Sequence, residues 1–311
     1  MFFYRYKFFL FLLMPLCLFV ACNNKKEDIK TVNNLTAKNF SNEIVIAISL
    51  DESRLYRSLV LISSIIKNAN ESTFYKIFAL VPENFTKTNK EKIYSLSKLR
   101  ENCSFEFMNM GYYSSNVFIN YFKEINYYKL SLSNLLPKNI KKCLYLDSDE
   151  IVSCDLSELY NIDLTDFYFA GVLNFLEDDQ RKSNHINSEV LLINLEKWRK
   201  DNIIDSFLLF VNNNLNASSE EILNSVCKNT LRLPFKYNVF ACFDFKKVCE
   251  NKSFEIFTEE LKEGQYNFVI LNFSLFPPWE NLNANMSEKW WYYAKELKYW
   301  NEIENKYLVR K

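Results

Sequence analysis

Lys142 to Asp155 reads KCLYLDSDEIVSCD, and the way this stretch is punctuated decides the fold. An apolar run, Cys143-Leu144-Tyr145-Leu146, stops at Asp147-Ser148-Asp149, and a second apolar pair, Ile151-Val152, follows at once. A buried strand ending in two carboxylates sets both at the carboxyl edge of a sheet, where open α/β folds bind their ligands. In extended chain the two Asp side chains, two residues apart, leave the same face, so their oxygens can converge on one hard cation. Mg²⁺ or Mn²⁺ held in this way commonly completes its shell with substrate phosphate oxygens.

Outward from this stretch, strands and helices alternate. Glu43 to Leu50 (EIVIAISL) is a β-rich run that stops at Asp51. Leu55, Leu59, Ile62, Ile65 and Ile66 then fall at helical spacing within Arg54 to Ala69, with Asp51 or Ser53 available as cap. Tyr75 to Val81 repeats the strand signal, Thr86 to Arg100 the helix, and Cys103 to Met110 a third strand. A helix-like stretch, Tyr121 to Leu136, leads into the strand that delivers the Asp pair. Such alternation predicts a parallel sheet with right-handed crossovers, and a nucleotide fits the crevice a βαβαβ half creates. Beyond it, Phe167 to Leu173, Glu189 to Asn194 and Phe268 to Phe273 read as strands. Helices are expected from Leu195, over Glu221 to Lys228 and from Ser287 onward, with Asn212 to Ser219 as a loop. The tail aromatics Trp290, Trp291, Tyr292, Tyr293 and Trp300 are read as helix-packing surface, with sugar stacking as the alternative.

Composition removes several chemistries. The 311 residues are 49% hydrophobic, enough for a full core. Lys+Arg and Asp+Glu both total 38, so no global field points to nucleic acid. Three glycines, at 111, 171 and 264, leave no phosphate-cradling loop and no dinucleotide fingerprint. The single histidine, His185, sits in a polar stretch near Asn187 and excludes His-rich zinc sites. Eight cysteines show no CxxC spacing, and Cys143 inside the apolar run reads as a small buried hydrophobe.

Residues 1–21 carry Arg5 and Lys7, then an apolar stretch from Phe8 to Ala21 with no acidic residue. Its 14 residues are fewer than the roughly 20 a spanning helix needs, so it reads as an export signal. Cys22, after Leu18-Phe19-Val20-Ala21, resembles a bacterial lipoprotein processing site, although Phe19 stands where Leu is usual. The expectation is a protein attached to the cell-envelope membrane by a lipid at Cys22, with an inward-facing anchor as alternative. Residues 22–42, rich in Asn, Lys and Thr, read as a solvated tether, and 43–311 as a single domain.

From Ile44 to about Tyr293 the chain resembles glycosyltransferase family 8, the retaining nucleotide-sugar transferases that include bacterial lipopolysaccharide galactosyl- and glucosyltransferases. Several blocks carry the resemblance: Asp51 with Ser64; Tyr127-Tyr128-Lys129-Leu130, Leu136-Pro137 and the run into Asp147-Ser148-Asp149; Asn187-Ser188-Glu189 through Leu195, with Trp198-Arg199; and Leu233 to Val239. The resemblance implies an A-type, Rossmann-like α/β fold, a mostly parallel sheet flanked by helices. It further implies a metal-dependent transfer of a hexose from a UDP-sugar to a glycan or lipid-linked saccharide, such as lipopolysaccharide. By it, Asp147 and Asp149 would hold Mn²⁺ (or Mg²⁺) on the diphosphate, and Asp51 would sit near the uridine. Lys129, Ser148, Asn187 and Ser188 would complete the donor site.

The departures from the family pattern bear on activity. Glu189 replaces a Gly and would intrude on the bound sugars, and Glu220 falls at a Gln position beside the reacting carbon, able to act as nucleophile or charge stabiliser. The late His-x-x-Gly-x-x-Lys-Pro-Trp pattern becomes Leu271 to Trp279. The metal-binding His therefore falls at Leu271 or Asn272, with Asn272 as candidate third ligand, and a phosphate-facing Lys is lost. Lys129 replaces an Arg, keeping the charge but not the fork. These losses leave an alternative, a catalytically inactive envelope lipoprotein using the fold to bind carbohydrate. The Asp-x-Asp of haloacid-dehalogenase-type phosphatases is disfavoured, because Glu150-Ile151 follow where that motif wants Thr or Ser.

Overall fold

Ile44 through Ser49 and Phe74 through Val81 are buried almost without interruption. Strands that read as continuous apolar runs belong in a parallel sheet covered on both faces, and these two pair side by side within it. The computed structural model describes residues 40–113, 124–175, 184–242 and 252–309. The export signal, Cys22 and most of the tether fall outside the described residues. Among the described residues no helix is long and apolar enough to cross a membrane.

In chain order the first half gives β1 (Asn42–Ser49), α1 (Leu55–Lys67), β2 (Thr73–Val81), α2 (Lys87–Tyr94), β3 (Cys103–Asn109), a short α3 (Leu132–Leu135) and β4 (Lys142–Leu146). The expected helix over Tyr121 to Leu136 is, where described, a 3₁₀ segment, Ile125–Ser131, closed by the single turn of α3. The second half gives β5 (Glu150–Val152), α4 (Ser157–Tyr160), β6 (Phe169–Leu173), β7 (Ile186–Asn194), α5 (Leu195–Lys200), α6 (Ile203–Asn213), α7 (Ser219–Val226), β8 (Thr230–Arg232) and β9 (Val239–Phe240). It ends with α8 (Thr258–Tyr266), β10 (Ile270–Asn272), α9 (Ser287–Lys295) and α10 (Trp300–Glu304).

Seven strands form one sheet in the order β3-β2-β1-β4-β7-β6-β8, and β5-β10-β9 form a second, small one. In the large sheet only β7 runs against the rest, pairing antiparallel with both β4 and β6. This reversal matters for the site. It brings the amino end of β7, Asn187-Ser188-Glu189, beside the carboxyl end of β4, where Leu146 pairs with Val190 and Asp147 N–H donates to Glu189 O at 3.0 Å. Gly171 permits the close strand approach at the register shift in β6, since a Cβ there would stand 2.3 Å from Ile186 Cγ2.

The tail aromatics pack inward. Trp290 is fully buried and meets Trp291 edge-to-face at 4.7 Å, with Trp279 and Tyr307 against it, while Tyr292 stays exposed. Cys143 is buried and unpaired, as its apolar surroundings require.

Candidate active site

The carboxyl ends of β1, β2 and β4 share one edge of the sheet, and two clefts open there. One, of about 400 Å³, is lined by Lys129, Asp147, Ser188, Glu189, Ser219 and Glu220 among others. The other, of about 460 Å³, is lined by Asp51, Glu52, Pro82, Asn84, Phe85 and Tyr128 among others. Glu124 and Asn126 belong to both walls, so the clefts are neighbours that meet there. Asp51 also closes the turn into α1: its Oδ1 accepts from Ser53 Oγ at 2.7 Å and from Arg54 N–H at 3.0 Å.

Cations surround the Asp pair. Lys129 is only 2% exposed, and a buried ammonium needs partners. It donates to Ser188 O at 2.7 Å and to Asp147 Oδ2 at 3.2 Å, and lies 4.6 Å from the Tyr145 ring centroid. The Tyr145 hydroxyl donates to Asp147 Oδ1 at 2.7 Å, and Arg54 Nη1 stands 3.8 Å from the same oxygen. Arg54 also donates to Asn126 Oδ1 at 2.6 Å, at the junction of the clefts. Asp149 Oδ1 accepts from Arg57 Nη1 at 2.7 Å and from Ser148 Oγ at 2.9 Å. Burial pushes the Asp149 carboxyl above its ordinary value, Arg57 pulls it back, and the Asp147 charge adds to the rise. Ser148 thus orients Asp149 with its own side chain buried.

Glu220, at the start of α7, lines the larger cleft's neighbour beside Asp147. Its two oxygens accept from Asn174 Nδ2 and from Ser188 N–H, each at 3.0 Å, which fixes the carboxylate in place. Asn187, expected in the donor site, takes part in an amide network. Its Oδ1 accepts from Asn238 Nδ2 at 2.8 Å and Glu189 N–H at 3.0 Å, while Asn238 Oδ1 accepts from Asn272 Nδ2 at 2.9 Å. Asn272 Nδ2 also donates to Glu189 Oε2 at 2.7 Å, and Ser274 Oγ to the same oxygen at 3.1 Å. Burial, with Asp147 adding to it, raises the Glu189 carboxyl to about 7. Glu150, opposite Asn272 in the small sheet, is fully buried, and its two carboxyl oxygens have no hydrogen-bond partner among the described residues. Burial, with the nearby Asp147 and Glu189 charges adding to it, holds that carboxyl well above the ordinary range.

The description Glycosyl transferase family 8 matches residues 45–262 of the chain. The chain belongs to glycosyltransferase family 8. Glycosyltransferase GlyA of Streptococcus pneumoniae is 26% identical over 274 residues, covering 85% of this chain and 36% of GlyA. The lipopolysaccharide 1,2-glucosyltransferase of Escherichia coli is 24% identical over 202 residues, covering 60% of this chain and 58% of that protein. The family 8 chain therefore spans little more than a third of the first relative and under two thirds of the second. Galactosyltransferase LgtC, solved with donor and acceptor sugar analogs, superposes with a TM-score of 0.66 at 20% identity, covering 84% of this chain and 99% of LgtC. That likeness shares the fold: a mixed α/β body around a mostly parallel sheet.

Family 8 enzymes typically depend on a divalent metal. The expected ligands here are Asp147, Asp149 and Asn272, and as arranged they do not fit one. Asn272 turns its oxygen to Ser274 N–H at 2.8 Å and its amide to Glu189 and Asn238, so it is a member of the buried network rather than an open donor. Asp147 and Asp149 already face Lys129 and Arg57. Among the described residues no group of three or more His, Cys, Asp or Glu side chains is placed to hold a metal ion. A dication between the two Asp would also meet those cations. Unit charges about 4 Å apart near a protein surface repel by roughly 4 kcal/mol, and a divalent ion doubles that.

Arg54, Arg57 and Asn174 are the residues that sequence reading passed over. Arg54 and Arg57 look like polar positions on the first turn of an amphipathic helix, and only the pairing of β1 with β4 brings that turn to the Asp pair. Ser218 and Glu221 were passed over as well, although Ser-x-x-Glu before an apolar run is a capping-box signal, and the box is formed.

Proposed function

We propose that the chain transfers a hexose from a UDP-sugar to a hydroxyl of a glycan or lipopolysaccharide-type acceptor, with retention at the anomeric carbon. The observation that carries this reading is the pair of adjoining clefts, with Asp147 and Lys129 lining one of them and Arg54 bonded to Asn126, which lines both. A nucleotide-sugar has that layout: a nucleoside and a sugar joined by an anionic diphosphate. Asp51 would face the uridine, Lys129 and Ser188 the diphosphate and sugar, and Glu220 the reacting carbon. When the bond from the anomeric carbon to the phosphate oxygen breaks, its electron pair leaves with UDP and the sugar acquires oxocarbenium character. Fixed cations stabilise the departing phosphate, and the Glu220 carboxylate, held by Asn174 and Ser188, stabilises the sugar.

A panel of UDP-hexoses assayed for UDP release, with a saccharide acceptor and with water alone, tests the reading. Release with one hexose, lowered at least tenfold in Glu220→Gln with UDP affinity unchanged, is the expected result. Absence of UDP binding across the panel would overturn it. UDP binding without release would favour the second reading, a non-catalytic carbohydrate-binding lipoprotein, to which the Glu189 carboxylate in the sugar cleft lends support. Membrane attachment through Cys22 belongs to the same proposal, and a Cys22→Ser protein that still incorporated radiolabelled fatty acid would contradict it.

A further inference from the structure

We propose that fixed side-chain cations take over, at the Asp pair, the role a divalent metal would play: Lys129 neutralises Asp147, Arg57 neutralises Asp149, and Arg54 is left to face the donor diphosphate. The inference rests on the nucleotide-sugar reading and deepens it.

Two carboxylates meet three cations. The close pairs are Arg57 to Asp149 at 2.7 Å and Lys129 to Asp147 at 3.2 Å, whereas Arg54 stands 3.8 Å from Asp147. Arg54 is therefore the cation least committed to a carboxylate. Among the described residues its guanidinium donates one hydrogen bond, to Asn126, so most of its five N–H groups remain available to an anion. Asn126 lines both clefts, which places Arg54 where the two halves of a nucleotide-sugar would join. Its backbone is fixed by the Asp51 turn, so the guanidinium is carried on a rigid helix start.

Arg57 is held from two sides, by Asp149 and by the Trp279 ring, whose centroid lies 5.1 Å from the guanidinium carbon. Pro277 stands two residues before that tryptophan, where the family resemblance places a phosphate-facing lysine. A guanidinium packed on Trp279 returns a cation to that neighbourhood from a different element. Lys129 cannot leave its post, because its contacts with Ser188, Asp147 and the Tyr145 ring support a buried charge. The two Asp thus act as positioning residues for the cations. In the step, the bond from the anomeric carbon to the UDP oxygen breaks and its electron pair goes to that oxygen, opposite guanidinium; the acceptor hydroxyl oxygen forms the new bond to the same carbon and its proton passes to the departing diphosphate.

The test is UDP titration of the full chain by calorimetry, in EDTA and again in Mn²⁺. The expected result is equal affinity in the two conditions. Arg54→Ala should weaken binding by roughly tenfold or more, with partial recovery in Arg54→Lys. Asp149→Asn, which removes a negative charge and frees the Arg57 guanidinium for the diphosphate, should tighten UDP binding in EDTA. Circular dichroism establishes that each variant is folded. UDP binding that requires Mn²⁺ and vanishes in Asp149→Asn would overturn the inference while leaving the nucleotide-sugar reading intact. No binding of UDP in either condition would overturn both.

Discussion

Two polar neighbourhoods lie side by side in this molecule and are built on opposite principles. Near the cleft junction, Arg54, Arg57 and the buried Lys129 face Asp147 and Asp149, full charges that except at Lys129 sit on partly open side chains. A few residues away, Asn187, Asn238 and Asn272 bond to one another and to Glu189, with all three amides buried. The amides come from β7 of the large sheet, from the residue before β9 and from β10 of the small sheet, so they tie the two sheets together. Neutral groups that satisfy one another make a joint, while charges left partly unsatisfied make a site.

Changes on the two sides should therefore separate stability from binding. Lys129→Met carries the largest effect, because it strands the mostly buried Asp147 carboxylate. Chemical denaturation should show a loss of roughly 3–5 kcal/mol, together with weaker UDP binding. Asn238→Ala, within the joint, should cost roughly 1–3 kcal/mol from unpaired buried partners while UDP affinity stays within a factor of two or so. A large loss of UDP affinity there would mean that the joint belongs to the site. Arg57→Ala sharpens the contrast differently. With its guanidinium gone, Asp149 opens to another cation, and Mn²⁺ should then tighten UDP binding where it has no effect on the parent chain.

The smallest effect belongs to a solvent-facing pair, Lys236 and Glu158, 2.9 Å apart. Lys236 and Tyr237 hold the Glu158 carboxyl below its ordinary value. Such a depressed group lends stability above its unfolded pKa and loses it as pH falls through the folded one. Lys236→Ala should change the unfolding free energy near neutrality by no more than about 1 kcal/mol.

Much of the fold was legible because long periodic runs carry it. The strands at Glu43, Tyr75 and Cys103 and the helix from Leu55 stand within two residues or so of where their patterns place them. The short strands Glu150–Val152, Thr230–Arg232 and Val239–Phe240 were not, since two or three residues hold no period and pairing partners alone define them. Helix α6 was passed over although Ile203, Ile204, Phe207 and Val211 fall at helical spacing. The stretch Glu221 to Lys228 forms a helix two residues early, because Ser218 caps it. In the site, Asp147 and Asp149 announce themselves by breaking an apolar strand. Arg54 and Arg57 do not, because their partners lie some 90 residues further on and the register of β1 with β4 supplies the contact. Asn272 was expected to face a metal, and the antiparallel approach of β10 to β5 turned it toward Asn238 and Glu189 instead.

The most direct measurement is a crystal structure of the chain grown with UDP and excess Mn²⁺, with diffraction collected at the manganese edge. The account predicts diphosphate oxygens within hydrogen-bonding reach of the Arg54 guanidinium and no anomalous peak between Asp147 and Asp149. An anomalous peak bridging the two Asp and the diphosphate, with Arg57 displaced from Asp149, would contradict it.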